Sequence, residues 1–166
     1  MVMVLMTSKE IKESRSIINV RLDDIKGVHP TAQTSVSATA DFIYASAPND
    51  YSELALHYLL NIHPIHVIKQ DAELHVIAGF RSYELACLRL SEDAEITCIL
   101  HVGIKSEEIP DIAVIDIAGS PIMHSLGPKF VQQLQNMVQT FGQQVLVNFP
   151  RLKSIRRIRG QTKSSS

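Results

Sequence analysis

The chain has no tryptophan, two cysteines and few aromatics of any kind, at 5% of its 166 residues. A core must therefore rest on Ile, Leu, Val and Ala. Cys87 and Cys98 are too few for a disulfide scaffold, and their spacing is not that of a metal site. Both sit in apolar contexts, Leu85-Ala86-Cys87-Leu88 and Ile96-Thr97-Cys98-Ile99, and are expected to be buried small residues. Such cysteine usage points to a reducing compartment and a cytoplasmic protein. No apolar run approaches the ~18 residues that span a bilayer. The opening Met1-Val2-Met3-Val4-Leu5-Met6 lacks a basic flank and a small-residue cleavage site, so it reads as a frayed end or edge strand rather than a targeting signal. No internal repeat is present.

What the chain does contain is the composition of one globular domain, 45% hydrophobic and 20% charged. A net charge of −1 conceals a division. Residues 1–116 carry 9 basic and 17 acidic side chains, a net of −8, whereas residues 117–166 carry 7 basic and no acidic ones, a net of +7. The C-terminal third is thus a candidate surface for a polyanion or an acidic partner.

Along the chain, residues 17–22 read as a strand and Asp23-Asp24-Ile25 as a turn. Residues 27–49 are rich in Thr, Ser and Ala and read as a loop with at most a short helix near 38–45. Asp50, with Glu53 three residues on, resembles a helix N-cap, and Tyr51, Leu54, Ala55, Tyr58 and Leu59 recur at helical spacing over 51–60. Pro64 ends that helix. Residues 65–69 and 74–78 flank Gln70-Asp71-Ala72-Glu73 as a β-hairpin. Residues 81–90 are helical by period, and 95–102 form a further strand. The run 112–117 is apolar, and period alone does not decide between helix and strand there. Gly127-Pro128 opens an amphipathic helix whose stripe is Phe130, Val131, Leu134, Met137, Val138 and Phe141, a core face or a contact between copies in a homo-oligomer. Residues 143–149 read as a last strand.

Chemistry is concentrated at Leu74-His75-Val76-Ile77-Ala78-Gly79-Phe80-Arg81-Ser82-Tyr83-Glu84, a strand running into a helix through a glycine. The glycine permits a tight turn and close approach of a ligand. The first N–H groups of a helix have no intrahelical acceptors and favour an anion. Arg81 adds a guanidinium fork and Ser82 a hydroxyl, so Gly79, Phe80, Arg81 and Ser82 form a candidate phosphate cradle. Arg81 pairing with a surface carboxylate is the bland alternative.

The order of these elements, with His63-Pro64-Ile65-His66-Val67-Ile68 and the glycine turn, resembles the ParB N-terminal/sulfiredoxin superfamily over about residues 17–103. Val20-Arg21-Leu22-Asp23-Asp24-Ile25 and His29-Pro30-Thr31-Ala32-Gln33 resemble the strand and loop that precede that core. The resemblance implies an α/β fold, a compact mixed sheet with helices, and a nucleotide or phosphate held at the turn. With the core placed at 17–103, the chain divides into an N-terminal arm (1–16), that core, a C-terminal helical extension expected to pack on it (104–150) and a basic tail expected to be mobile (151–166). The resemblance also implies a nucleoside triphosphate with magnesium as ligand, Gly79 and Arg81 as matches to the family's Gly and first Arg, and His29 as a nucleotide contact. Phe80 and Ser82 stand where ParB proteins carry Glu and a second Arg, which argues against triphosphate hydrolysis. Phe80 also occupies the position of the reactive sulfiredoxin cysteine, so that redox chemistry is excluded, and Cys87 lies too far along the helix to replace it. A helix-turn-helix is not recognisable after residue 103.

His63, His66 and His75 are the best histidine cluster, but the odd spacing puts His63 and His66 on opposite faces of a strand, and no metal site is expected. Glu84, Glu53 and Asp50 are expected to cap or pair, as carboxylates at helix starts do. Ser82 as a nucleophile would need a base, and nothing selects His57 or His66 for that place. In the tail, Leu152, Ile155 and Ile158 recur among Arg151, Lys153, Arg156, Arg157 and Arg159, a short basic amphipathic segment suited to a nucleic-acid backbone, an acidic protein or a membrane surface. No aromatic interleaves these basic residues, so stacking on single-stranded bases is not supported.

Three functions are consistent with this pattern. One is a nucleotide- or phosphate-binding regulatory module acting near DNA through its tail. Another is a small ATP-dependent phosphotransferase or nucleotide hydrolase. The last is a nonenzymatic interaction domain with a degenerate ligand site.

Overall fold

A computed structural model of the chain describes residues 13–37, 47–123, 139–140 and 147–148. Five strands, β1 (Ser14–Arg21), β2 (Ile25–Val28), β3 (Ile65–Gln70), β4 (Glu73–Ala78) and β5 (Glu95–Val102), form one mixed sheet in the order β1-β5-β3-β4-β2. β1 runs antiparallel to β5, β5 parallel to β3, β3 antiparallel to β4, and β4 parallel to β2. Four helices with full bounds among the described residues accompany it: α1 (Pro30–Ser37), α2 (Glu53–Ile62), α3 (Phe80–Arg89) and α4 (Ile109–Met123). The α/β class and the mixed sheet are those expected.

Alternation along the strands divides the side chains between two faces. Ile65 and Val67, Val76, and Ile96 and Cys98 pack with Leu56 and Leu60 of α2 and Leu85 and Ala86 of α3. On the other face Ile77 packs with Ala32 of α1 and with Ile109 and Ala113 of α4. Aliphatic residues and small alanines supply nearly all of this core, as the lack of tryptophan requires.

Several expectations are corrected. β1 begins at Ser14, before the apolar residues start, because pairing Ser14–Val102 to Arg21–Glu95 along β5 needs only backbone groups. The turn after β1 is a single 3-10 turn, Leu22–Asp24, followed by a strand, β2, within what reads as a turn and loop. The helix of that region lies at Pro30–Ser37, since Pro30 suits its first position and fully buried Ala32 holds it against α4. The expected helix near 38–45 lies outside the described residues.

The N-cap of α2 lies two residues later than expected. Ser52 is the N-cap, its hydroxyl accepting from the Ala55 N–H at 3.1 Å, whereas Asp50 belongs to a preceding 3-10 turn and accepts from the Ala47 N–H at 2.7 Å. The buried face of α2 is also different: Ala55, Leu56 and Leu60 are buried, and Leu54 and Tyr58 are exposed.

The hairpin is as expected. Its two-residue loop, Asp71-Ala72, has φ of 50° and 69°, the twist that matches paired strands. The ambiguous run 112–117 is helical within α4. The expected amphipathic helix from 128 to 141 lies outside the described residues except for Gln139 and Thr140, which are helical. The expected last strand, 143–149, is described only at Val147 and Asn148, and these are helical. Cys98 is buried as expected, but Cys87 is exposed, because it lies on the side of α3 away from Leu85 and Ala86. Among the described residues no helix is long and apolar enough to cross a membrane.

Candidate functional site

β4 ends at Ala78, and the chain turns into α3 at Gly79, whose φ of +75° and ψ of 31° lie in the left-handed region. Two requirements meet at this residue. A side chain there would be strained by its backbone angles, and a Cβ would stand 2.7 Å from the Pro64 carbonyl oxygen and 3.0 Å from the Ile65 Cα. The turn is thereby pressed onto the start of β3.

The N–H groups of Gly79 and Phe80 both donate to one carboxylate oxygen, Oδ2 of Asp116, at 2.8 and 3.2 Å. The free N–H groups of a helix start favour negative charge, and here the charge comes from the chain itself. Asp116 is delivered by α4: Ile109 and Ala113 are buried against the sheet, and the spacing of four and then three residues carries the same helix face on to Asp116.

The flanking side chains are engaged elsewhere. Arg81 Nη1 pairs with Glu84 Oε2 at 2.6 Å, within the first turn of α3. The Ser82 hydroxyl donates to the His63 carbonyl at 2.7 Å and ties α3 to the end of α2. Phe80 is partly buried and packs against both apolar clusters, at the seam between the faces of the sheet. The cradle is thus built from main-chain donors, with Arg81 beside it held by Glu84 and Ser82 by the His63 carbonyl.

His29 stands at the junction of β2 and α1, almost fully buried. Its Nδ1 accepts from the Thr31 N–H at 3.3 Å and lies 2.8 Å from the Thr31 hydroxyl, which assigns the ring proton to Nε2 and makes Nε2 the donor to Gln70 Oε1. The His75 ring meets it edge-on, with centroids 5.7 Å apart. These contacts give His29 a structural place between β2, α1 and the hairpin.

His66 joins a different pair. Its Nδ1 lies 2.8 Å from Nε2 of His101, with the rings stacked at 5.1 Å. Arg15 of β1 is directly opposite His101 in the sheet. Burial pushes His101 down to about 4, with His66 and Arg15 adding to the shift, and it lowers His66 as well, while the Asp116 charge opposes the change there. Arg15, His101, His66 and Asp116 therefore influence one another in a polar group that ends at the Gly79 turn.

Sequence reasoning located the turn but passed over Asp116 and His101. The available signal for Asp116 was a lone carboxylate in the apolar run Ile112–Ile117, since a carboxylate on a largely apolar helix needs donors from outside it. His101 gave no comparable signal, because its partner is 35 residues away on a neighbouring strand. Arg151, Lys153, Arg156, Arg157 and Arg159 lie outside the described residues. Among the described residues no three His, Cys, Asp or Glu side chains form a group able to hold a metal ion. No protein-family model matches the chain, and no curated protein matches it.

Proposed function

We propose that the protein is a regulatory module of the ParB/sulfiredoxin-like type that binds a phosphate-bearing ligand, a nucleotide with magnesium, at the Gly79 turn. The observation that supports this reading is the convergence of the Gly79 and Phe80 N–H groups on a single anionic oxygen. A phosphate oxygen makes the same two bonds, and a ligand would take the place of the Asp116 carboxylate. Arg81, one residue beyond the cradle, would exchange Glu84 for the phosphate. Phe80 and Ser82 supply neither an acid nor a base at the turn, so the reading is one of binding rather than turnover. The basic segment 151–159 would give the module its contact with DNA or an acidic protein.

Calorimetric titration with a panel of nucleoside triphosphates and magnesium tests this on wild type, Asp116→Ala and Arg81→Ala. Removing the internal competitor should tighten binding by about five- to tenfold, the equivalent of ~1 kcal/mol, and Arg81→Ala should weaken it. Absence of binding to both wild type and Asp116→Ala would sink the proposal.

A second reading is favoured by the same carboxylate. If Asp116 serves only as a tertiary cap for α3, the ligand site is spent and the chain is a nonenzymatic interaction domain. In that case Asp116→Ala loses stability and gains no ligand. DNA binding that is steeply salt-dependent and is lost on deleting residues 151–166 would then locate the function in the tail.

A further inference from the structure

α2 presents an apolar stripe to solvent. Leu54, Tyr58 and Ile62 are 59%, 61% and 67% exposed, and their spacing of four residues puts them on one face, opposite buried Leu56 and Leu60. Three large apolar side chains in a row on one helix face form a contiguous apolar patch, a feature that marks interaction sites when large.

The chain's own C-terminal region is tied to this helix. The Ser52 N–H donates to the Asn148 carbonyl at 3.1 Å, and the Ser52 hydroxyl donates to Asn148 Oδ1 at 3.1 Å, while that hydroxyl also caps α2. Whatever follows Asn148 therefore starts at the N-terminal end of the stripe. The next residues are the basic amphipathic segment with Leu152, Ile155 and Ile158.

We infer that residues 151–159 dock along the outer face of α2, with Leu152, Ile155 and Ile158 covering Leu54, Tyr58 and Ile62. Reach permits it: Leu152 is four steps along the chain from Asn148, at most ~14 Å. The stripe is ~12 Å long, and residues 152–158 span ~9 Å as helix or ~20 Å extended. Charge favours it as well, since a segment from a region of net +7 meets a body of net −8, with exposed Glu53 beside the stripe. A short tether holds the segment at an effective concentration of about millimolar, which a second copy at micromolar concentration cannot match. This docking is independent of any ligand at the Gly79 turn.

Disulfide trapping on the full chain tests it. In a Cys87→Ser background, which removes the exposed thiol, Tyr58→Cys is combined with Ile155→Cys and oxidised under mild conditions. The expected product is an intramolecular disulfide, monomeric on a non-reducing gel and identified by mass spectrometry of the linked peptides. It should form at least about tenfold faster than the link in a control pair, Ile17→Cys with Ile155→Cys, because Ile17 is exposed on the opposite face of the sheet. A cross-linked dimer would assign the stripe to a second copy and overturn the proposal. So would equal rates for the two pairs, or no disulfide at all. Tyr58 and Ile17 are exposed and take no part in the core, and a parallel measurement needs no substitution: deleting residues 151–166 should speed amide exchange along α2 and raise dye binding, and unchanged values would count against docking.

Discussion

Asp116 caps a helix that begins 36 residues earlier in the chain, its Oδ2 accepting from the N–H groups of Gly79 and Phe80 at once. The contact joins α4 to the turn between β4 and α3 and puts a negative charge where the helix carries its partial positive one. The turn is therefore held by a side chain that, under the proposed function, a ligand would have to displace.

Asp116→Ala removes a charged acceptor from two N–H groups. The expected loss is about 1–2 kcal/mol, as for other helix caps, and Asp116→Asn should recover part of it by keeping an acceptor oxygen. Urea denaturation of the two variants measures both values. Equal stability of Asp116→Ala and wild type would show that water replaces the carboxylate without cost.

Gly79→Ala should be more damaging. The left-handed backbone costs an alanine about 1–2 kcal/mol, and its Cβ would press on the Pro64 carbonyl at 2.7 Å, which is backbone and has little room to give. A total loss of about 2–4 kcal/mol is expected, read as a lowered denaturation midpoint with an unchanged slope. A loss below that of Asp116→Ala would mean that the turn relaxes freely.

Ala72→Gly should stabilise the protein. Ala72 adopts a φ of 69° in the hairpin loop, a conformation open to glycine without penalty. The gain is expected to be about 0.5–1 kcal/mol, after allowance for the greater freedom of glycine in the unfolded chain. A thermal melt of the single variant is sufficient, and a lower melting temperature would contradict the loop geometry.

Acid should weaken the fold through the histidine pair. Folding depresses His101 from 6.5 to about 4 and lowers His66 too, so the unfolded chain binds more protons than the native one in this window. Stability is fully present above about pH 6.5 and is lost as pH falls toward 4. Comparing wild type with His101→Gln across that range removes the background of ordinary carboxylates. The wild type should lose more stability on acidification, and identical pH dependence would remove the pair as its cause.

Much of the local structure is written in short-range pattern. The strands around Asp71-Ala72, the glycine turn and the helix after it all follow from alternation, turn chemistry and helical period within about ten residues. So does the anion-favouring character of the turn, because free N–H groups belong to any helix start. The burial of α2 could not be read that way. Leu54 and Tyr58 are as apolar as Leu56 and Leu60, and only packing against β3, β5 and α3 selects which stripe faces inward. β2 and α1 were equally illegible, one because it is a four-residue strand held by pairing with β4, the other because a single buried alanine anchors a segment of weak helix formers.

By itself the sequence determined that a tight, glycine-dependent turn with free N–H groups stands between a strand and a helix. Tertiary structure alone decided what fills it. Asp116 reaches the turn from another helix, His66 meets His101 across two strands, and Ser82 bonds the His63 carbonyl at the end of α2. Such pairings depend on distances between segments that are remote in the chain, and no local pattern encodes them.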